Sequence, residues 1–261
     1  MTSFIRYEGT DRVATITLDR PEKRNAMTYA MLGDFTDALA RAAGDDDARV
    51  VILTGSGGSF CAGTDLADLQ ATPADARSRR SPESTGRAQW WPITACPKPV
   101  IGAIDGAAAG MGAELTSQCD VRIASTRARF GWVFVHRGLV PDTGAGTWLL
   151  PRLVGPTAAL RLLYSGEFIT ADQALRIGYV SEVVEAEALA DAARVEAERF
   201  LRGSPHAIAL TKQLLYDGLE RSTGDHMAAH REALEACFRS DDHREGVAAF
   251  LERRDAKFTG H

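Results

Sequence analysis

The sequence has little of what would mark a stapled, metal-built or membrane-embedded protein. Its four cysteines, Cys61, Cys96, Cys119 and Cys237, lie far apart, and none forms a CxxC pair. That spacing fits neither a zinc site nor a small disulfide scaffold, so reduced thiols in a cytoplasmic protein are expected, with no metal. No signal-peptide pattern precedes the first strand-like segment, and no apolar run approaches the ~20 residues of a membrane helix. A soluble protein with no membrane partner follows. Basic residues are not in excess: 30 Lys and Arg against 35 Asp and Glu leave a net charge of −5. This argues against a nucleic-acid partner, RNA included, while an anionic small ligand needs only a local cluster of cations.

Several catalytic signatures are missing as well. There is no GxxxxGK[ST] and no serine in GxSxG. Gly110-Met111-Gly112 is followed by Ala113, Glu114 and Leu115, without the third glycine of a dinucleotide fingerprint. His226 and His230 stand four apart, but Met227 occupies the glutamate position of HExxH. Phosphate-loop, nicotinamide, serine-hydrolase and zinc-protease chemistry are thereby disfavoured.

What is present reads as α/β. The chain has 261 residues, 45% of them apolar, enough for a large core. Val13–Leu18 is β-branched, and Met27, Met31, Phe35 and Leu39 then recur at helical spacing. Segments 50–53, 100–104 and 121–124 are short, and the first two are almost wholly apolar, which suits strands buried on both faces of a parallel sheet. Segment 70–87 is polar, carries two prolines and has no apolar period, so a long mobile segment is expected, either a lid or binding loop or a disordered insertion with no role. From Thr170 onward the pattern turns helical, with helices expected over 186–200, 206–219, 226–238 and 244–254. A body over 1–195 and a helical region over 196–261 is the expected division.

Two glycine-rich turns, 55–66 and 105–115, each follow a buried strand and lead into a helix. Small residues let a ligand approach the backbone, and helix N-termini offer free N–H groups. Side by side, the two turns could aim two donors at one oxygen. Close helix–strand packing would account for each turn equally well.

The motifs also resemble a known family. FCAGTDL and DGAAAGMGAELTSQCD are similar to the two signatures of the crotonase (enoyl-CoA hydratase/isomerase) superfamily. RPEKRNAM, the stretch from Phe130 to Gly155 and EGVAAFLERRDAKFTG match further blocks in family order, spanning nearly the whole chain. The resemblance implies a spiral of ββα units with a helical C-terminal region that trimerises, alone or as a dimer of trimers. It also implies an acyl-CoA substrate, with coenzyme A as its carrier and no other cofactor.

Carried over by position, the oxyanion donors fall on the backbone N–H of Thr64 and Met111. The first of the hydratases' two glutamates matches Glu114, but the second falls on Phe134, which is neither acid nor base. Asp142 lies where double-bond isomerases of the family carry their base, in a turn that is one residue longer than usual. The implied activity is therefore an enoyl-CoA hydratase or isomerase working through an enolate, with isomerisation slightly favoured, Asp142 the principal base and Glu114 its partner. Other readings stay open: a hydratase with water between Glu114 and Asp142, an aromatic acyl-CoA dehalogenase with Asp142 as nucleophile, and a non-catalytic CoA-binding scaffold. Asp142 could also be a helix N-cap, and Glu114 a buried structural carboxylate paired with Arg137 or another cation. His136 reads as a packing residue, and Trp90, Trp91 and Trp132 as acyl pocket or core. By resemblance Lys23, Arg24 and Ala26 lie at the nucleotide end of CoA. Ala62, Asp65 and Leu66 flank the pantetheine, and Phe250 and Arg253 match tail positions near the adenine phosphate.

Overall fold

A computed structural model describes residues 4–73 and 91–261. Among these, six strands form one sheet in the order β1 (Ile5–Thr10), β2 (Val13–Leu18), β3 (Val50–Gly55), β4 (Val100–Ile104), β6 (Val121–Ser125) and β9 (Glu182–Val184). Within this sheet only the β1–β2 pair is antiparallel. A smaller sheet joins β5 (Ala107–Ala109), β7 (Arg129–Gly131) and β8 (Ile169–Thr170).

The alternation of strand side chains divides the core in two. Ala14, Ile16, Leu18, Val51, Leu53, Val100 and Ile104 face one way, and α1 (Tyr29–Gly44) covers them with Met31, Phe35, Ala38, Leu39 and Ala42. Val13, Val50, Ile52, Ile101, Ala103 and Ile123 face the other way. There a helix at Leu189–Leu201 supplies Leu189, Ala193 and Ala197, a stripe at fourfold spacing. Strands buried on both faces explain why β3 and β4 are written without polar alternation.

The ββα repeat implied by the sequence is present. A strand of the large sheet is followed by one of the small sheet and then by a helix: β4, β5 and Met111–Gln118, then β6, β7 and a run of short helices. The expected helices of the C-terminal third are found at Leu189–Leu201, Pro205–Gly218, Thr223–Arg239 and Asp241–Glu252. Two expectations need correction. The region after Thr170 is not purely helical, because β9 closes the large sheet beside β6. Nor is segment 70–87 polar loop from its start, because a helix at Leu66–Ala71, capped by Asp65, includes Gln70. The rest of that segment, and Trp90, lie outside the described residues. Among those described, no helix is long and apolar enough to cross a membrane.

The helices Pro205–Gly218 and Thr223–Arg239 bury none of their residues fully within the single chain. One polar anchor ties the first of them to the body. Lys212 Nζ donates to Asp120 Oδ2 at 2.7 Å and to the carbonyls of Ile93 and Lys98, each at 3.0 Å. Asp120 also accepts from the Val100 amide at 2.7 Å and the Tyr216 hydroxyl at 2.9 Å. Removing one partner of a largely buried, hydrogen-bonded ion pair leaves the other charge stranded. Lys212→Met is expected to lower the unfolding free energy by about 3 kcal/mol, measured by urea denaturation.

Candidate active site

The site begins where the two glycine turns touch. Cys61 N donates to Ala107 O and Ala109 N to Cys61 O, both at 2.9 Å, so the first turn continues the small sheet. Neither turn has room for a side chain at the contact. A Cβ on Gly112 would lie 2.2 Å from Cys61 O, and one on Gly63 would lie 2.8 Å from Ala109 O and 3.7 Å from Met111 N. Gly63 also has a φ of +102°, which disfavours any other residue.

Further bonds hold the first turn. Met27 N donates to Gly63 O and Asp65 N to Met27 O, both at 2.8 Å, on either side of the Thr64 amide. The buried Asn25 clamps it from below, with Nδ2 donating to Ser56 O at 2.9 Å and Ser59 O at 2.7 Å. On the second turn, Met111 is the first residue of its helix, where amides have no intrahelical acceptor. The amides of Thr64 and Met111 thus stand on neighbouring turns beside a cavity of about 960 Å³ that both residues line.

Asp142 and Phe134 line the same cavity. Asp142 Oδ2 accepts from Thr64 Oγ1 at 3.4 Å, which puts this carboxylate beside Thr64 on the cavity wall. The Phe134 ring comes within 3.8 Å of where a Cβ on Gly110 would sit. Glu114 does not reach the cavity. It is wholly buried, and its Oε2 accepts from Thr143 Oγ1 at 2.7 Å, while Thr143 itself forms part of the wall. Its Oε1 has no well-directed hydrogen bond, although the amides of Ala145 and Gly146 lie close enough to favour its charge. Burial outweighs these groups and, with the nearby Asp142 charge adding to it, pushes the carboxyl up to about 7.

A family profile described as Enoyl-CoA hydratase/isomerase matches residues 8–261. The chain belongs to that family. It is 41% identical over 260 residues to a probable enoyl-CoA hydratase of Rhodobacter capsulatus, covering 98% of each chain. It is 36% identical over 262 residues to the 1,2-epoxyphenylacetyl-CoA isomerase of Escherichia coli, covering 100% of each. The crystal structure of an enoyl-CoA hydratase from Bacillus anthracis superposes with a TM-score of 0.91 at 32% identity, covering 99% of this chain and 100% of that one.

Within this hydratase/isomerase chain the remaining expected residues separate. Arg24, Ala62 and Leu66 line the cavity with Thr64 and Met111. Lys23 is exposed on the 3-10 turn at Pro21–Lys23, and Ala26 gives its carbonyl to Arg20. Asp65 is occupied structurally: Arg20 bonds it at 2.7 Å, and it caps the next helix through the amides of Ala67 and Asp68. Phe250 and Arg253 lie on and just beyond the last helix, where Phe250 is 82% exposed and lines a separate groove with Cys237 and Phe258. Trp132 is core, edge-on to Tyr179 with ring centroids 5.2 Å apart. His136 Nε2 donates to Ser165 O at 2.7 Å, and Arg137 donates to Val133 O rather than to Glu114. The N-cap of the helix at Ala145–Trp148 is Gly144, not Asp142. Among the described residues, no group of three or more His, Cys, Asp or Glu could hold a metal ion.

Thr143 escaped the sequence reading, although it follows Asp142 directly. Its hydroxyl holds Glu114, and its carbonyl accepts from Trp91 Nε1 at 3.0 Å. Trp91 in turn stacks on Trp148 with ring centroids 6.3 Å apart. A lone threonine between an aspartate and a glycine carries no periodic signal.

The raised Glu114 carboxyl gives stability a pH dependence. Between pH 4.5, its ordinary value, and about 7, the folded chain holds a proton that the unfolded chain has lost. The stabilisation is complete below the lower value and is lost as pH rises through the upper one, in total about 3 kcal/mol. Glu114→Gln can still accept from Thr143 and has nothing to ionise. Urea titrations should show similar stability for both proteins at pH 4.5, and the variant more stable at pH 8.5.

Proposed function

We infer that this enzyme acts on enoyl-CoA thioesters and favours moving the double bond from the 3,4 to the 2,3 position over adding water. Asp142 takes a proton from the carbon beside the thioester carbonyl, and the charge moves onto the thioester oxygen. The amides of Thr64 and Met111 receive that oxygen, a pair of donors each worth about 3 kcal/mol where such groups have been measured. Asp142 then returns the proton two carbons farther on, so the reaction needs neither water nor an electron carrier.

The observation that carries this reading is the placement of Asp142, with Oδ2 at 3.4 Å from Thr64 Oγ1 on the cavity wall. Two others support it. Phe134 puts an apolar ring where a second glutamate would hold water, and Glu114 is screened from the cavity by Thr143. The buried Glu114, part protonated near neutral pH, then serves as a positioning partner for the Asp142–Thr143 turn. One feature favours hydration as the second reading: Glu114 Oε1 has no well-directed hydrogen bond among the described residues and could accept one from a water that reached it. Similar proteins named as hydratase and as epoxide isomerase support the acyl-CoA class without choosing between these.

For the carrier, Arg24, Ala62 and Leu66 would follow the CoA arm, with Lys23 and Ala26 at its nucleotide end. Phe250 and Arg253 would reach that end from a neighbouring copy. A homotrimer, alone or doubled, built through the C-terminal helices fits their exposed Leu215, Leu219, Phe238 and Leu251.

Incubation with trans-3-enoyl-CoA and trans-2-enoyl-CoA separately, followed by the conjugated thioester's ultraviolet absorbance, tests the reaction. Absorbance should rise with the 3-enoyl substrate, and Asp142→Asn should slow that rise by roughly 10²- to 10⁴-fold. A fall with the 2-enoyl substrate, abolished in Glu114→Gln, would instead establish hydration.

A further inference from the structure

The helix at Met111–Gln118 runs from the oxyanion turn along the cavity. Residues 111, 115 and 118 fall on one face of it, and Met111, Leu115 and Gln118 all line the cavity. Two of these are apolar. Gln118 is 1% exposed, and its Oε1 is shut off from solvent with no hydrogen-bond partner among the described residues. Its neighbours on the helix are satisfied. The hydroxyls of Thr116 and Ser117 each donate to Ala113 O at 2.9 Å and also meet the Tyr179 hydroxyl. A buried amide without a partner is costly, and its presence in a native fold calls for a reason.

The surroundings indicate what would satisfy it. The α1 helix contributes Leu32, Phe35 and Thr36 to the same cavity, and Pro92 adds to it from the short helix Pro92–Ala95, which packs against both longer helices. Thr36 gives its hydroxyl hydrogen to Leu32 O. The cations that line the cavity among the described residues, Arg24 and Arg137, belong to neither long helix nor to the short one. Among the described residues, no counter-charge for a carboxylate therefore lines this part of the wall, and a bare hydrocarbon would leave the amide unpaired. A hydroxyl, able both to donate and to accept, matches the amide in either orientation.

We propose that Gln118 hydrogen-bonds an uncharged oxygen, hydroxyl or keto, carried on the distal part of the acyl chain, and so selects oxygenated over plain acyl-CoA substrates. Seven residues of helix put Gln118 about 10 Å from the Met111 amide, which calls for a chain of medium length. This assignment rests on the proposed reading that the thioester oxygen sits at the Thr64 and Met111 amides.

The test compares trans-3-octenoyl-CoA with its ω-hydroxy derivative. The wild-type enzyme should favour the hydroxylated substrate by roughly tenfold or more in kcat/KM. Gln118→Met, similar in volume and without the amide, should lose that preference by slowing the hydroxylated substrate while sparing the plain one. Equal rates on both substrates in the wild type would overturn the proposal, as would a Gln118→Met variant that slows both alike. Calorimetric binding of octanoyl-CoA and ω-hydroxyoctanoyl-CoA to the wild-type protein asks the same question without turnover or any variant. A binding preference without isomerisation would sink the reaction assignment and keep this one, while equal affinities would reject this one alone.

Discussion

The structure depends on two backbone turns lying in direct contact. The Cys61–Ala108 pairing and the two glycines that permit it, Gly63 and Gly112, keep the turns that carry Thr64 and Met111 in contact. Turns 47 residues apart in sequence can be fixed this closely only if the strands feeding them are rigid. The fully buried β4 and the nearly buried β3 meet that need, since both faces of the sheet are covered and the register is fixed on each side. Most of the core can thus be read as the support for one pair of N–H groups.

A second layer of organisation surrounds the carboxylates. Asp142 and Glu114 differ in environment, the first exposed at the cavity and the second wholly buried. Thr143 joins them, with its hydroxyl on Glu114 and its carbonyl held by Trp91. A change in the charge of Glu114 would therefore be felt at Asp142 through one residue of backbone, besides the direct repulsion between the two carboxylates. This coupling is electrostatic and mechanical together, and it needs no long path through the protein.

The sequence made the frame legible wherever burial imposed a pattern. The runs VVIL and VIGAI read as two-faced strands because no polar residue interrupts them, and the last four helices are long enough for their periodicity to show. β8 and β9, of two and three residues, are too short to carry a period of their own, and β9 was absorbed into the surrounding helical pattern. The candidate site divides in the same way. Thr64, Met111, Glu114 and Asp142 stand out through glycine turns and motif position; the structure brings Thr64, Met111 and Asp142 to one cavity, with Glu114 buried behind its wall. That Glu114 lies behind Thr143 could not be read, because it depends on how the turn at 141–144 folds back. Gln118 was equally silent, since a glutamine near a helix end looks like surface until the cavity is seen beside it.

The two halves of the site are built to different standards of rigidity. The donors stand on turns whose residues are packed into the core, with Phe60, Cys61 and Ala108 fully buried. The carboxylate that would do the chemistry hangs on a stretch where Val135, Leu139 and Val140 are exposed, Val140 by 77%. A rigid donor pair can hold a thioester oxygen whatever happens next to the rest of the substrate. Phe134, on the same stretch, is nonetheless buried in the main core, so the looseness is confined to the residues around it. On the proposed reading, thioester recognition rests on the packed turns, whereas the choice between moving a proton and adding water rests on groups beside the more exposed segment.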